Sequence, residues 1–192
     1  MINRKNHRRS IRLKGYDYSQ NGLYFITICI HHNINLLGEV VDGKMRLNCI
    51  GKMIEKQWLD LSGRFEGIKI DEYVLMPNHF HGIIEFSGNH LGQPQRVESG
   101  QPQGIAPTGG CCRGNPLWLP LPTVGDVVGA FKSLSTNEYI RQVKDNNWPR
   151  FDKHLWQRNY YEHIIRNEES YRQISQYMQD NPIKWLEDKY YT

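Results

Sequence analysis

The chain has 192 residues, 23% of them charged and 39% apolar, and carries a formal net charge of +4. That length suits one well-buried core and is short for two full domains. The longest apolar runs, such as Leu23 to Ile30, are far too short to cross a bilayer, and no apolar stretch follows the charged N-terminus, so the expected location is cytoplasmic, away from membranes.

The positive charge is unevenly spread. Residues 1 to 14 hold Arg4, Lys5, Arg8, Arg9, Arg12 and Lys14 without an acid, which leaves the rest of the chain with 18 basic against 20 acidic residues. Residues 1–21 are therefore read as a basic arm. Such an arm suits phosphate contacts, because each neutralised phosphate releases condensed counterions; from charge alone a solubilising tail fits equally well. The four cysteines, Cys29, Cys49, Cys111 and Cys112, include no CxxC spacing and are expected as reduced thiols.

Gly22 to Ile30 is rich in β-branched and aromatic residues and predicts a strand. Glu39 to Leu47, with Asp42-Gly43 inside it, predicts a hairpin. Ile50, Met53, Ile54, Trp58 and Leu61 recur at helical spacing over Ile50 to Leu61. Ile68 to Met76 is the next strand, stopped by Pro77-Asn78, and His79 to Phe86 follows as its antiparallel partner. Residues 87–122 break the pattern with six of the nine prolines, seven glycines and a Gly-Gln-Pro-Gln repeat at 92–95 and 100–103. They cannot bury enough apolar surface to offset their ordering entropy, so a flexible insertion is expected, with Leu117-Trp118-Leu119 as a candidate anchor. Thr123 to Val143 is a second helix, and Trp156 to Ile165 a last strand. Asn167 is a candidate N-cap, with Glu168 and Glu169 in the first turn of a helix running to about Asp180.

Strand, helix, strand, strand, helix, strand is the ferredoxin-like β-α-β-β-α-β order, here with an extra C-terminal helix. The expected division is one α+β domain over 22–185 with a tail at 186–192.

Two features carry chemistry. Alternate side chains of a strand share a face, so His79 and His81 stand on one side, roughly 7 Å apart at the backbone, and two imidazoles so held can converge on one metal ion. By itself an HxH pair is unspecific, and partly buried, hydrogen-bonded histidines fit it as well. On the last helix Tyr177 and Asn181 are i and i+4 and stack on one face, with Cβ atoms about 6 Å apart. The amide oxygen suits a hard ion, with a hydroxyl one turn away. Equally, Tyr177 fits a packing role beside Ile174 and Met178, and Asn181 a helix end before Pro182.

The segments YVLMPNHFHGIIEF, VVGAFKSLSTNEYIRQ and LWQRNYYEHIIRNEESYRQISQYMQDNPIKW, in that order, resemble the single-tyrosine HUH transposases. They are most similar to the branch of REP-associated tyrosine transposases, and the resemblance runs from about Gly22 to Trp185 without the insertion. The His–apolar–His motif corresponds to His79-Phe80-His81, the nucleophile to Tyr177, and the polar residue completing the metal site to Asn181. Tyr171 is the rival nucleophile, but its i+4 residue is Ser175, a poorer ligand. The smallest members of the family carry glutamine where this chain has the shorter Asn181.

The resemblance implies a Mg²⁺ or Mn²⁺ ion at His79, His81 and Asn181, a 5′-phosphotyrosine intermediate on Tyr177, and single-stranded or hairpin DNA as partner, handled by a monomer or a homodimer. Beyond the arm, Lys132, Arg141, Lys153 and Arg158 are candidate phosphate contacts, and Trp148, Trp156 and Tyr160 candidate stacking surfaces for unpaired bases; ordinary solvated charges and core aromatics fit these residues as well. Two other classes stay open: a non-catalytic hairpin-binding regulator, and a phosphoesterase that uses water at the HxH site.

Overall fold

The structure is a computed structural model that describes residues 15–88 and 122–191. Most of the arm and of the 87–122 insertion, including Cys111, Cys112 and Trp118, lies outside the described residues.

Alternation and turn chemistry produce the strands β1 (Gly22–Cys29), β2 (Gly38–Val41), β3 (Lys44–Leu47), β4 (Ile68–Leu75), β5 (His79–Phe86) and β6 (Tyr161–Ile165), and the helices α1 (Cys49–Leu59), α2 (Val124–Asn146) and α3 (Glu168–Asp180). Asn48, Thr123 and Asn167 begin the three helices, each side-chain oxygen accepting a backbone N–H inside the first turn, which satisfies a donor that the helix itself leaves unpaired. The main sheet has the order β4-β5-β1-β6 with antiparallel neighbours throughout. This is the ferredoxin-like arrangement expected from the sequence, and β2-β3 form a separate hairpin.

Strand periodicity divides the sheet into two faces. Tyr24, Ile26 and Ile28 of β1 and Phe80, Ile84 and Phe86 of β5 enter one large core with Ile54 and Trp58 of α1 and Val127 and Phe131 of α2. The opposite face carries Phe25, Ile83 and Ile165, which pack with Met178 of α3. His79 and His81 have the parity of Ile83, so they lie beneath the last helix. Gly82 lies on the core side of the same strand. A methyl group there would stand 2.7 Å from Trp58 Cζ2 and 2.8 Å from Phe80 Cζ, and Trp58 and Phe80 are fully buried. Gly82→Ala is expected to lower stability by about 1–3 kcal/mol through overpacking, readable as a lower denaturant midpoint with an unchanged slope.

The last strand is shorter than the sequence suggests. Trp156 makes only an isolated bridge to Ile30, and regular pairing begins at Tyr161. The half-buried Lys132 ammonium donates to the carbonyls of Gln157 (2.9 Å), Arg158 (3.3 Å) and Asn159 (3.2 Å) of this segment.

Candidate functional site

The site is built around the start of β5. Asn78 is fully buried and its Nδ2 donates to the carbonyls of Asn33 (3.1 Å) and Tyr190 (2.7 Å). That orientation leaves Oδ1 to face His79 Nδ1 at 2.9 Å. An amide oxygen only accepts, so His79 carries its proton on Nδ1 and its Nε2 is bare. Thr27 Oγ1 stands 2.8 Å from His81 Nδ1, and a hydroxyl accommodates either tautomer of that ring. The two Nε2 atoms are 3.0 Å apart. Burial, reinforced by Lys189, pushes the His79 pKa down to about 3, and burial with His79 and Lys189 pushes His81 well below its ordinary value. Both rings are therefore neutral at neutral pH, which is the form that ligates metals.

Helix α3 brings Tyr177 over this pair. Its hydroxyl is 3.3 Å from His81 Nε2, its ring 5.3 Å from the imidazole, and it remains 42% exposed. Burial of its inner side, opposed by Asn181 and assisted by Asp188, raises its pKa above the usual value of 10. Asn181 closes the helix at 3% exposure. Its Nδ2 approaches the Tyr177 carbonyl (3.5 Å), while its Oδ1 is buried without a hydrogen-bond partner. An orphaned oxygen of this kind costs free energy unless a donor or a cation meets it.

His81, Tyr177 and Asn181 line a cleft of about 440 Å³ together with Phe25, Thr27 and the exposed Tyr161, and its rim is charged by Asp180, Lys184, Glu187, Asp188 and Lys189. Among the described residues no three His, Cys, Asp or Glu side chains stand as a complete ligand set. His79 and His81, with Nε2 atoms 3.0 Å apart, and Asn181, which shares the cleft with His81, are the side chains that could offer nitrogen and amide-oxygen donors to a divalent ion.

Tyr171 stands elsewhere. Its hydroxyl donates to Asp71 Oδ2 (2.9 Å), and its neighbour Ser175 donates to Glu72. Both acids are offered by the irregularity in β4 between Ile70 and Tyr73. These bonds clamp α3 onto the sheet edge.

The expected DNA contacts fare unevenly. Arg4, Lys5, Arg8, Arg9, Arg12 and Lys14 lie outside the described residues. Lys132 is a correction: its three donors are spent on carbonyls, and burial lowers its pKa to about 8, so it tethers a loop instead of meeting a phosphate. Arg141 is exposed and donates to Glu138 (2.7 Å), while Lys153 and Arg158 are exposed. Trp156 is a second correction, being 5% exposed with its indole N–H given to Ser135 Oγ (2.9 Å). Trp148 packs edge-on to Tyr139, and Tyr160 lies beneath the Lys132 amine.

Residues after Trp185 prove to be more than a tail. A 3-10 turn, Trp185–Glu187, leads back over the histidines, and the Tyr190 ring lies 4.5 Å from that of His79. Asp188 Oδ2 comes within 3.9 Å of His79 Nε2, with the carboxylate 6% exposed. The aromatics Trp185, Tyr190 and Tyr191 hint in the sequence that this segment packs, but nothing in their spacing points to His79.

No protein-family model matches the chain. Among solved structures, a REP-associated tyrosine transposase bound to a REP hairpin is similar at a TM-score of 0.52 and 18% identity, over 91% of this chain and 74% of that one; at that identity the likeness is one of fold. An "Uncharacterized protein" of Haemophilus influenzae (strain ATCC 51907 / DSM 11121 / KW20 / Rd) is 41% identical over 188 residues, covering 96% of this chain and 93% of the relative. With that identity over nearly its whole length, the chain belongs to the family of the Haemophilus influenzae protein, and its fold is transposase-like.

Proposed function

We propose that the protein is a single-tyrosine HUH endonuclease of the REP-associated kind, which cuts and rejoins single-stranded DNA next to a hairpin. The observation that carries this reading is the Tyr177 hydroxyl 3.3 Å from His81 Nε2, at the mouth of an open cleft. Among the described residues lining the cleft, Tyr177 is the exposed hydroxyl that meets an imidazole, whereas Thr27, 3% exposed, lies buried against His81. The solved transposase of similar fold is bound to a REP hairpin, which supports DNA of that kind as the substrate.

The Tyr177 oxygen attacks the scissile phosphorus, forming the Tyr–O–P bond as the P–O3′ bond breaks. The tyrosine proton is balanced by the one gained on the released 3′-hydroxyl. Burial raises the Tyr177 pKa, so the hydroxyl is protonated in the resting protein and its proton must be given up for the Tyr–O–P bond to form. A second 3′-hydroxyl reverses the step, and the phosphodiester energy stays in the covalent link throughout. His79, His81 and Asn181 would hold a divalent Mg²⁺ or Mn²⁺ ion, which when bound supplies Lewis acidity and charge neutralisation at the phosphate. Thr27 and Asn78 keep the two rings in place, as partners of ligating histidines do elsewhere. Tyr161, Lys184 and Lys189 at the cleft rim suit an unpaired base and its phosphates, and the basic residues of the arm would add phosphate contacts.

Incubation with Mn²⁺ and a pool of hairpin-bearing single strands is expected to give a protein–DNA adduct that survives denaturation, maps to the Tyr177 peptide and disappears with chelator. Hairpin binding without any adduct would favour a non-catalytic regulator. Cleavage without an adduct would favour a water nucleophile.

A further inference from the structure

We infer that His31, His32 and His154, imidazoles outside the cleft, together grip a phosphodiester group of the DNA strand, with an affinity that rises as the pH falls. The inference rests on the DNA-binding reading above and adds a contact that neither the His-x-His motif nor the cleft provides.

Two loops build the cluster. After β1 the chain enters a short 3-10 turn, His31–Asn33, and the segment 152–157 crosses it. The His31 N–H donates to the Leu155 carbonyl (2.9 Å) and the Gln157 N–H to that of Cys29 (2.9 Å). Gln157 Nε2 donates to Asn33 Oδ1 (2.8 Å). With the loops so tied, the His31 ring centre stands 3.8 Å from that of His32 and 5.6 Å from that of His154. The cluster lies at the cleft end of the sheet, where Cys29 of β1 pairs with His79, and the Asn33 carbonyl accepts from Asn78 (3.1 Å), the residue that orients His79.

The backbone is strained to make it. His32 (φ 60°), Asn33 (φ 54°) and Lys153 (φ 58°) are three of the five described non-glycine residues in the left-handed region, where a Cβ crowds the backbone. Strain of this kind persists where surrounding bonds over-determine it, and it gathers at binding sites.

The side chains suit an anion. His32, His154, Lys153 and Arg150 are exposed and His31 is half-buried. Among the described residues the ring nitrogens of His31 and His154 meet no hydrogen-bond partner in the protein. The facing acid is Asp152, 3.7 Å from His32 Nε2, and with the two side chains 60% and 64% exposed that pair is weak. A metal would need converging donors, and among the described residues no three His, Cys, Asp or Glu side chains converge so.

Desolvation, reinforced by His32, His154 and Lys153 and opposed by Asp152, lowers the His31 pKa. The resting cluster therefore resists charging, because adjacent positive rings repel. A phosphate oxygen among the rings cancels that repulsion, so anion binding and protonation favour each other. The rings thus titrate at a higher pH when DNA is bound than when it is absent. Affinity gains as the pH falls through the ordinary histidine range, about 6.5, and the gain is lost as the pH rises above it.

The test follows a fluorescent hairpin-bearing single strand on the full-length protein by anisotropy, with chelator and at constant ionic strength, from about pH 5.5 to about 8.5. Wild type is expected to bind at least about fivefold more tightly at the acid end. The triple variant His31→Gln, His32→Gln, His154→Gln should lose most of that gain, match wild type at the alkaline end, and show an acid-end salt slope smaller by about one. His32→Gly relieves the left-handed backbone, so it should melt at an equal or higher temperature while losing part of the acid-end affinity; a purely structural histidine would lose stability instead. Should the triple variant melt early, His154→Gln alone, at an exposed ring, is expected to lose part of the acid gain with an unchanged melting temperature. A wild type whose binding ignores pH, or variants that keep both its pH dependence and its salt slope, overturn the inference and leave the DNA-binding reading standing. If wild type binds no hairpin strand at any pH, that reading falls, and this inference with it.

Discussion

Tyr177→Phe is expected to abolish the covalent protein–DNA adduct and to slow strand cleavage by at least about a thousandfold, the order expected when a covalent nucleophile is removed and only binding and electrostatic contributions remain. The fold should survive. The side chain is 42% exposed, and the aromatic ring that packs against Phe25 and His81 is kept in phenylalanine. Only the hydroxyl is lost, and with it the contact to His81 Nε2. Hairpin binding is expected to persist within a few-fold. Tyr171→Phe is the matched control. It removes the bond to Asp71 and should cost about 0.5–1.5 kcal/mol of stability while leaving the adduct in place. If cleavage survives in Tyr177→Phe and is lost in Tyr171→Phe, the two roles have been assigned the wrong way round.

His81→Ala is expected to eliminate Mn²⁺-dependent cleavage, with metal affinity falling more than about a hundredfold. Loss of a partner that merely orients a ligand already costs roughly 10–100-fold, and His81 is read as a ligand itself. The imidazole is 1% exposed, so its removal also opens a cavity under Tyr177 and leaves Thr27 Oγ1 without its ring partner. Some destabilisation is therefore expected, and comparison with His81→Gln separates the effects, because glutamine refills most of the volume. Both variants should lose the adduct, and His81→Gln should recover most of the melting temperature. Retained Mn²⁺-dependent adduct formation in His81→Gln together with intact Mn²⁺ affinity would remove the imidazole from the metal site.

The local elements were largely legible in the chain because their causes are local. The strand parity that puts His79 and His81 on one face follows from backbone pleating, and the turn at Pro77-Asn78 sets the start of β5 where the break in the pattern predicts it. The Asn167 cap and the Tyr177-to-Asn181 spacing follow from helix geometry in the same way. Where the reading failed, a distant group intervened. Regular pairing in the last strand begins only at Tyr161, after a stretch whose carbonyls accept from Lys132, 25 to 27 residues earlier, and the same bonds remove Lys132 from the candidate DNA contacts. Trp156 has the composition of a stacking residue, but its indole is spent on a buried serine.

Strand and helix periods, cap residues and turn signals thus determined which side chains could share a face, and with them the ferredoxin-like order, while the resemblance to HUH transposases singled out His79, His81, Tyr177 and Asn181. Only the tertiary structure decided that these faces meet. Tyr177 and His81 are 96 residues apart, and their approach depends on the strand order and on the Asp71 and Glu72 clamp that seats α3. Periodicity is a property of a few neighbouring residues and is written in any short stretch of sequence. Contact between remote segments is settled by the packing of the whole chain, where the burial of many side chains at once outweighs the preference of any one.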